Sequence, residues 1–123
     1  MFDLTPAEMK HIALLATGWE FVWLKGRGWR FTNPSYPSHI ITGSWRTTEL
    51  LTKRKIIRQV ETPDGWVFRF RQGTGERARD YVLNPPENKE PLAKLKWQGF
   101  SDTEAGVFLN VSRSAISRKR GRS

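Results

Sequence analysis

The spacing of apolar residues changes period at Gly18, and that change excludes both an all-helical and an all-β chain. Before it, Met9, Ile12, Ala13 and Ala16 fall at i, i+3, i+4 and i+7, one stripe of a helix. Thr5-Pro6-Ala7-Glu8 writes the start of that helix: a hydroxyl cap, a proline suited to the first turn, and a carboxylate that reaches back to the cap amide. Gly18 supplies the left-handed stop. After it, Trp19, Phe21 and Trp23 alternate with Glu20, Val22 and Leu24, and Trp29 and Phe31 follow the turn Lys25-Gly26-Arg27-Gly28. This predicts two strands joined by a glycine-containing turn. Aromatic side chains at such spacing read as core in preference to a base-stacking platform.

Asn33 to Gly43 reads as mostly loop. Thr42 or Ser44 opens a second helix over roughly Trp45 to Lys53, with Leu50 and Leu51 inward and Lys53-Arg54-Lys55 closing it. Ile56 to Val60 has the β-branched character of a strand. A hairpin is then expected, Trp66 to Arg71 against Arg77 to Leu83 around Gln72-Gly73-Thr74-Gly75-Glu76. In that register Phe68 opposes Tyr81, Trp66 opposes Leu83 and Arg69 opposes Asp80, with apolar pairs on one face and a charge pair on the other. The run Thr48 to Ile57, followed by a hairpin ending Tyr81-Val82-Leu83, resembles the late helix and wing of winged-helix proteins. The resemblance implies that Arg69, Arg71, Arg77 and Arg79 are wing contacts to nucleic acid. The alternative is that they are ordinary solvated arginines.

Asn84-Pro85-Pro86-Glu87-Asn88-Lys89-Glu90 breaks the pattern, because adjacent prolines favour an extended connection. The chain therefore divides into an α+β, winged-helix-like domain over 1–84, a linker over 85–90 and a small three-helix module over 91–123. In the last, Pro91 to Gly99 reads as a short helix. Ser101-Asp102-Thr103-Glu104 is a second capping box, opening a helix with Ala105, Phe108 and Leu109 on one side. Asn110 suits a left-handed turn, Val111 is an apolar plug, and Ser112 caps a third helix to Arg120 with Ala115 and Ile116 inward.

A small residue at the helix crossing (Gly106), a turn residue (Asn110) and a β-branched lock (Ile116) are the spacing of a helix-turn-helix. The segments Trp97 to Gly106 and Leu109 to Ser117 resemble resolvase-type and GcrA-like bacterial helix-turn-helix regulators. They depart from that pattern at Gly106, where Ala is usual, and at Asn110, where Gly is usual. The glycine loosens its helix by about 1 kcal/mol relative to alanine. The resemblance implies that Arg113, Ser114, Ser117 and Arg118 read base edges in the major groove, and that Ser112, Lys119, Arg120 and Arg122 hold phosphates. The competing reading is a helical hairpin for protein contact with a solvated basic tail.

Charge agrees with a polyanion partner. Lys and Arg number 21 against 12 Asp and Glu, a net +9, and the last twelve residues carry five basic groups and no acid. The chain has no Cys, which excludes disulfides, thiolate zinc sites and a Cys nucleophile. His11 and His39 have no ligand-spaced partners, the acids are scattered, and the glycines of 26–28 and 73–75 lack any phosphate-loop context. No enzyme, metal or cofactor is expected. No apolar run nears the roughly 18 residues of a membrane span, and Asp3 stands where a signal peptide wants a basic flank. The expectation is a cytoplasmic protein, in the nucleoid or a host cytoplasm, that binds double-stranded DNA as a small phage- or bacterial-type transcriptional regulator. The alternative is a phage-type inhibitor that binds a host nucleic-acid enzyme or its nucleic acid. A homodimer and a protein target stay open as further partners.

Overall fold

The structure is a computed structural model that describes residues 3–63, 65–85 and 90–109. In chain order the elements are α1 (Pro6–Ala16), β1 (Glu20–Leu24), β2 (Gly28–Thr32), β3 (Ile41–Thr42), α2 (Trp45–Lys53), β4 (Ile57–Thr62), β5 (Gly65–Phe70), α3 (Thr74–Leu83), α4 (Pro91–Trp97) and α5 (Asp102–Leu109). The fold is α+β. Among the described residues there are five helices and two antiparallel sheets, β1-β2-β3 and β4-β5.

Helix α1 begins as its sequence predicts. The Thr5 hydroxyl accepts from the Glu8 N–H at 3.2 Å, and the Glu8 carboxylate accepts from the Thr5 N–H at 3.1 Å. It ends with Gly18 at φ 93° and the Trp19 N–H donating to the Leu14 carbonyl at 3.1 Å. Two other helices stop in the same way. The Ile56 N–H reaches Leu51 after Lys55, and the Phe100 N–H reaches Leu95 after Gly99. In each case the residue after the left-handed position is buried: Trp19, Ile56 and Phe100. At the end of α2, however, the left-handed position (φ 61°) is held by Lys55 and not by a glycine.

In β1–β2, Phe21 pairs with Phe31 and Trp23 with Trp29, so all four share one face. Ile41 of β3 adds to it beside Phe31. Phe21 and Phe31 are buried, as the core reading expects, but Trp23 at the far end of the same face is 63% exposed. Gly43 is required by this packing, since a Cβ there would lie 2.5 Å from Phe21 Cε1 and 3.2 Å from Phe31 Cε2. Ser44 caps α2, accepting from the Thr47 N–H at 3.3 Å. Only one of the two leucines expected inward goes inward. Leu51 is fully buried and Leu50 is 44% exposed, because neighbours on a helix point about 100° apart.

The hairpin lies one element earlier than the sequence predicts. Strand β4 pairs with β5, and the chain turns between Thr62 and Gly65, where Gly65 has φ 123° and the Thr62 hydroxyl donates to its carbonyl at 2.7 Å. Phe68 therefore opposes Gln59, Trp66 opposes Glu61 and Arg69 opposes Arg58, in place of Tyr81, Leu83 and Asp80. The segment expected to return as a strand is α3, so Arg77 and Arg79 stand on a helix and not on a wing. Gly75, Ala78 and Val82 are its buried face, at helical spacing. A Cβ on Gly75 would collide with the Ile56 carbonyl oxygen, so the helix start can lie against the β4 entry only because Gly75 has no side chain.

The chain on the two sides of 85–90 shares one set of buried side chains. Phe100 belongs to the same core as Ile12, Phe31 and Val82, and Phe108 meets Trp19 at 5.7 Å and Phe100 at 4.9 Å between ring centroids. The buried Gln98 amide donates to the Val82 carbonyl at 2.8 Å, satisfying an acceptor in the last turn of α3 that has no helical partner. Lys10 of α1 pairs with Glu104 of α5, and a Cβ on Gly99 would strike the Pro6 carbonyl oxygen. Helices α4 and α5 are thus seated on α1 and α3.

Candidate nucleic-acid interface

The β4–β5 register sets two arginines side by side. Arg58 and Arg69 are directly opposed, and both are exposed. Like charges in a cross-strand pair repel; Val60 and Val67 follow the pair on this face of the hairpin, and Arg69 lines a separate depression that also holds Glu20 of β1. Arg58 also lines a depression of about 480 Å³ with Phe70, Arg71, Gln72, Glu76 and Arg79. Arg71 enters from the end of β5, where its N–H donates to the Ile56 carbonyl at 2.9 Å. Arg79 enters from α3, with its guanidinium carbon 5.9 Å from the centre of the Phe70 ring and its Nε 3.3 Å from Asp80 Oδ1. Glu76 is the acid in the lining, and its carboxylate accepts from the Gly73 N–H at 3.3 Å at the start of α3.

Of the four expected wing contacts, the structure brings Arg71 and Arg79 into this depression, while Arg69 stands opposite Arg58 and lines a separate depression with Glu20 and Trp66. Arg77 does not line it, and its Nη2 lies 3.4 Å from the Thr74 hydroxyl. Arg58 was not singled out by the sequence, because its place opposite Arg69 follows only from the true strand partner. Arg113, Ser114, Ser117 and Arg118, and with them Ser112, Lys119, Arg120 and Arg122, lie outside the described residues. The helix that precedes them is α5. Its capping box is formed, with the Ser101 N–H donating to Glu104 at 3.0 Å and the Glu104 N–H donating to the Ser101 hydroxyl at 3.2 Å. Ala105 and Gly106 are buried.

His11 belongs to the scaffold. Its Nε2 accepts from the Ser44 N–H at 3.1 Å, which requires the proton on Nδ1, where it is donated to the Ala7 carbonyl at 2.9 Å. Burial pushes its pKa from 6.5 down to about 4. Its ring stands edge-on to Phe31 at 4.9 Å. Among the described residues there is no group of three or more His, Cys, Asp or Glu that could hold a metal ion, and no helix long and apolar enough to cross a membrane.

No protein-family model, curated protein or solved structure matches this chain.

Proposed function

We propose that the chain binds double-stranded DNA and regulates transcription, reading the major groove with its C-terminal helix-turn-helix while an arginine edge holds the phosphate backbone. The observation that carries this reading is the meeting of Arg58, Arg71 and Arg79, from β4, the end of β5 and α3, in one depression, with Arg69 opposed to Arg58 across the hairpin. An opposed Arg58–Arg69 pair is unfavourable in the free protein and favourable against a row of phosphates, each of which gives two arginines a shared counter-charge. A duplex presents one negative charge per roughly 1.7 Å of axis, so several guanidinium groups are engaged together. Used in a winged-helix-like manner, β4–β5 is the wing: it follows α2 in the chain and carries two of the four arginines. Phosphate contacts fix position and carry no sequence information. Base reading then falls to Arg113, Ser114, Ser117 and Arg118, as the resemblance to helix-turn-helix regulators implies.

The test is fluorescence anisotropy with a random-sequence duplex and the full chain. Replacing Arg58→Gln and Arg69→Gln together should weaken binding to every duplex alike, whereas Lys53→Gln should not, because Lys53 lies on α2 and does not line the depression. Equal affinities for the parent and the double variant would remove the arginine edge from the interface.

A further inference from the structure

A second surface lies on the sheet of β1 and β2. Phe21 and Phe31 close one end of its aromatic face, and the other end is open. Trp29 sits at the middle of a stack, parallel to Phe21 (4.8 Å, 7°) on one side and to Trp45 (4.9 Å, 22°) on the other. Trp23 meets Trp29 edge-on at 5.5 Å and 71°. The two outer rings face water: Trp23 is 63% exposed and Trp45 is 41% exposed. Large aromatic rings left in water beside one another mark a binding surface more often than a packing accident.

Charge identifies the occupant. From Phe21 to Thr48 the chain holds Lys25, Arg27, Arg30 and Arg46 and no acid. Lys25 and Arg27 lie in the turn that joins Trp23 to Trp29, and Arg46 follows Trp45 directly, so each ring of the open end has a cation within two residues. The first acid beyond, Glu49, is already paired with Lys53. An apolar peptide would leave those cations without partners. A base pair inside a duplex has both faces stacked and offers none to a tryptophan. An unpaired base offers a flat face, and its phosphate offers a charge to the adjoining cation.

We propose that this face binds single-stranded nucleic acid, with bases stacking on Trp23 and Trp45 and phosphates on Lys25, Arg27 and Arg46. It is a site separate from the arginine edge, and it stands whether or not the chain binds duplex.

The experiment uses the full chain and a fluorescein-labelled oligothymidylate, which forms no duplex of its own, with the random-sequence duplex and phosphatidylserine vesicles in parallel. Trp23→Ala should weaken oligothymidylate binding roughly five- to a hundred-fold, the range for one lost base–aromatic stack. Trp23→Phe, which keeps a stacking ring, should retain most of the affinity and shows that the loss comes from the ring and not from the fold. Trp45→Ala should fall with Trp23→Ala. Oligothymidylate affinities equal to the parent's in both alanine variants overturn the proposal. So does a parent chain that binds the vesicles and not the oligonucleotide.

Discussion

When the pH falls below neutral, the unfolded chain takes up a proton on His11 that the folded chain refuses. The folded imidazole is buried against Phe31, and its Nε2 is occupied by the Ser44 N–H, so a proton there meets a donor. Its pKa in the fold is about 4, against 6.5 when exposed. Above 6.5 both states are neutral and the stability is fully present. Between 6.5 and about 4 the unfolded state binds more protons, so stability falls with falling pH, and below about 4 this contribution is flat. At about 1.4 kcal/mol per pKa unit the gap amounts to roughly 3 kcal/mol. Against a total of about 5–15 kcal/mol for an ordinary domain, that is a large share. The assay is urea unfolding followed by tryptophan fluorescence at a series of pH values, for the parent and for His11→Gln. The carboxylates titrate in both chains and cancel in the difference, which isolates the imidazole. The difference should narrow by roughly 3 kcal/mol as pH falls through this window. A difference that stays constant from neutral pH to 4, or a His11 ring signal titrating near 6.5 in the folded chain, refutes the argument.

Three further outcomes follow from particular residues. Lys55 occupies a left-handed position that glycine holds in the two equivalent helix ends, so Lys55→Gly should raise stability by about 0.5–1 kcal/mol in the same urea assay. Gly99→Ala places a Cβ against the Pro6 carbonyl at a φ of 95°, and should cost more than about 1 kcal/mol and loosen α4 and α5 from α1, read as faster amide exchange in α5. On a selected duplex site, Arg113→Ala and Arg118→Ala should each cost about 1–3 kcal/mol and narrow the gap to random duplex, whereas Lys119→Ala and Arg120→Ala should leave that gap nearly unchanged. Equal behaviour of all four would make the tail a generic polyanion binder.

The parts of the fold that were legible in the sequence are those written by neighbours in the chain. Thr5, Glu8 and Gly18 specify α1 within one turn at each end, and Lys25 to Gly28 close β1 on β2 without help from elsewhere. From Trp66 to Leu83 the sequence alone does not separate strand from helix, because its alternation continues past Phe70. Arg77, Arg79, Tyr81 and Leu83 fit a strand as well as Ala78 and Val82 fit a helix. The deciding signal was Thr62-Pro63-Asp64-Gly65, a turn sequence that ends β4 and leaves β5 already paired. Once β5 has its partner, Gly73 and Glu76 are free to start α3. Alternation likewise tells which face Trp23 shares with Phe21, but not how far along that face the rest of the chain reaches. That depends on where α2 sets Trp45, a distant contact. The same holds for the arginine edge. Arg69, Arg71 and Arg79 were visible as basic residues, but Arg58 joins them only through the strand register.

The slope of affinity against salt tests the central claim most directly. Each phosphate neutralised on B-DNA contributes a slope of about −0.9 in log K against log salt concentration. If Arg58, Arg69, Arg71 and Arg79 all engage the backbone, the full chain on a random-sequence duplex should give a straight line with a slope of about −3.6 or steeper. The Arg58→Gln, Arg69→Gln variant should flatten it by about two units. A slope near zero, or one that the double variant leaves unchanged, contradicts duplex binding through this edge.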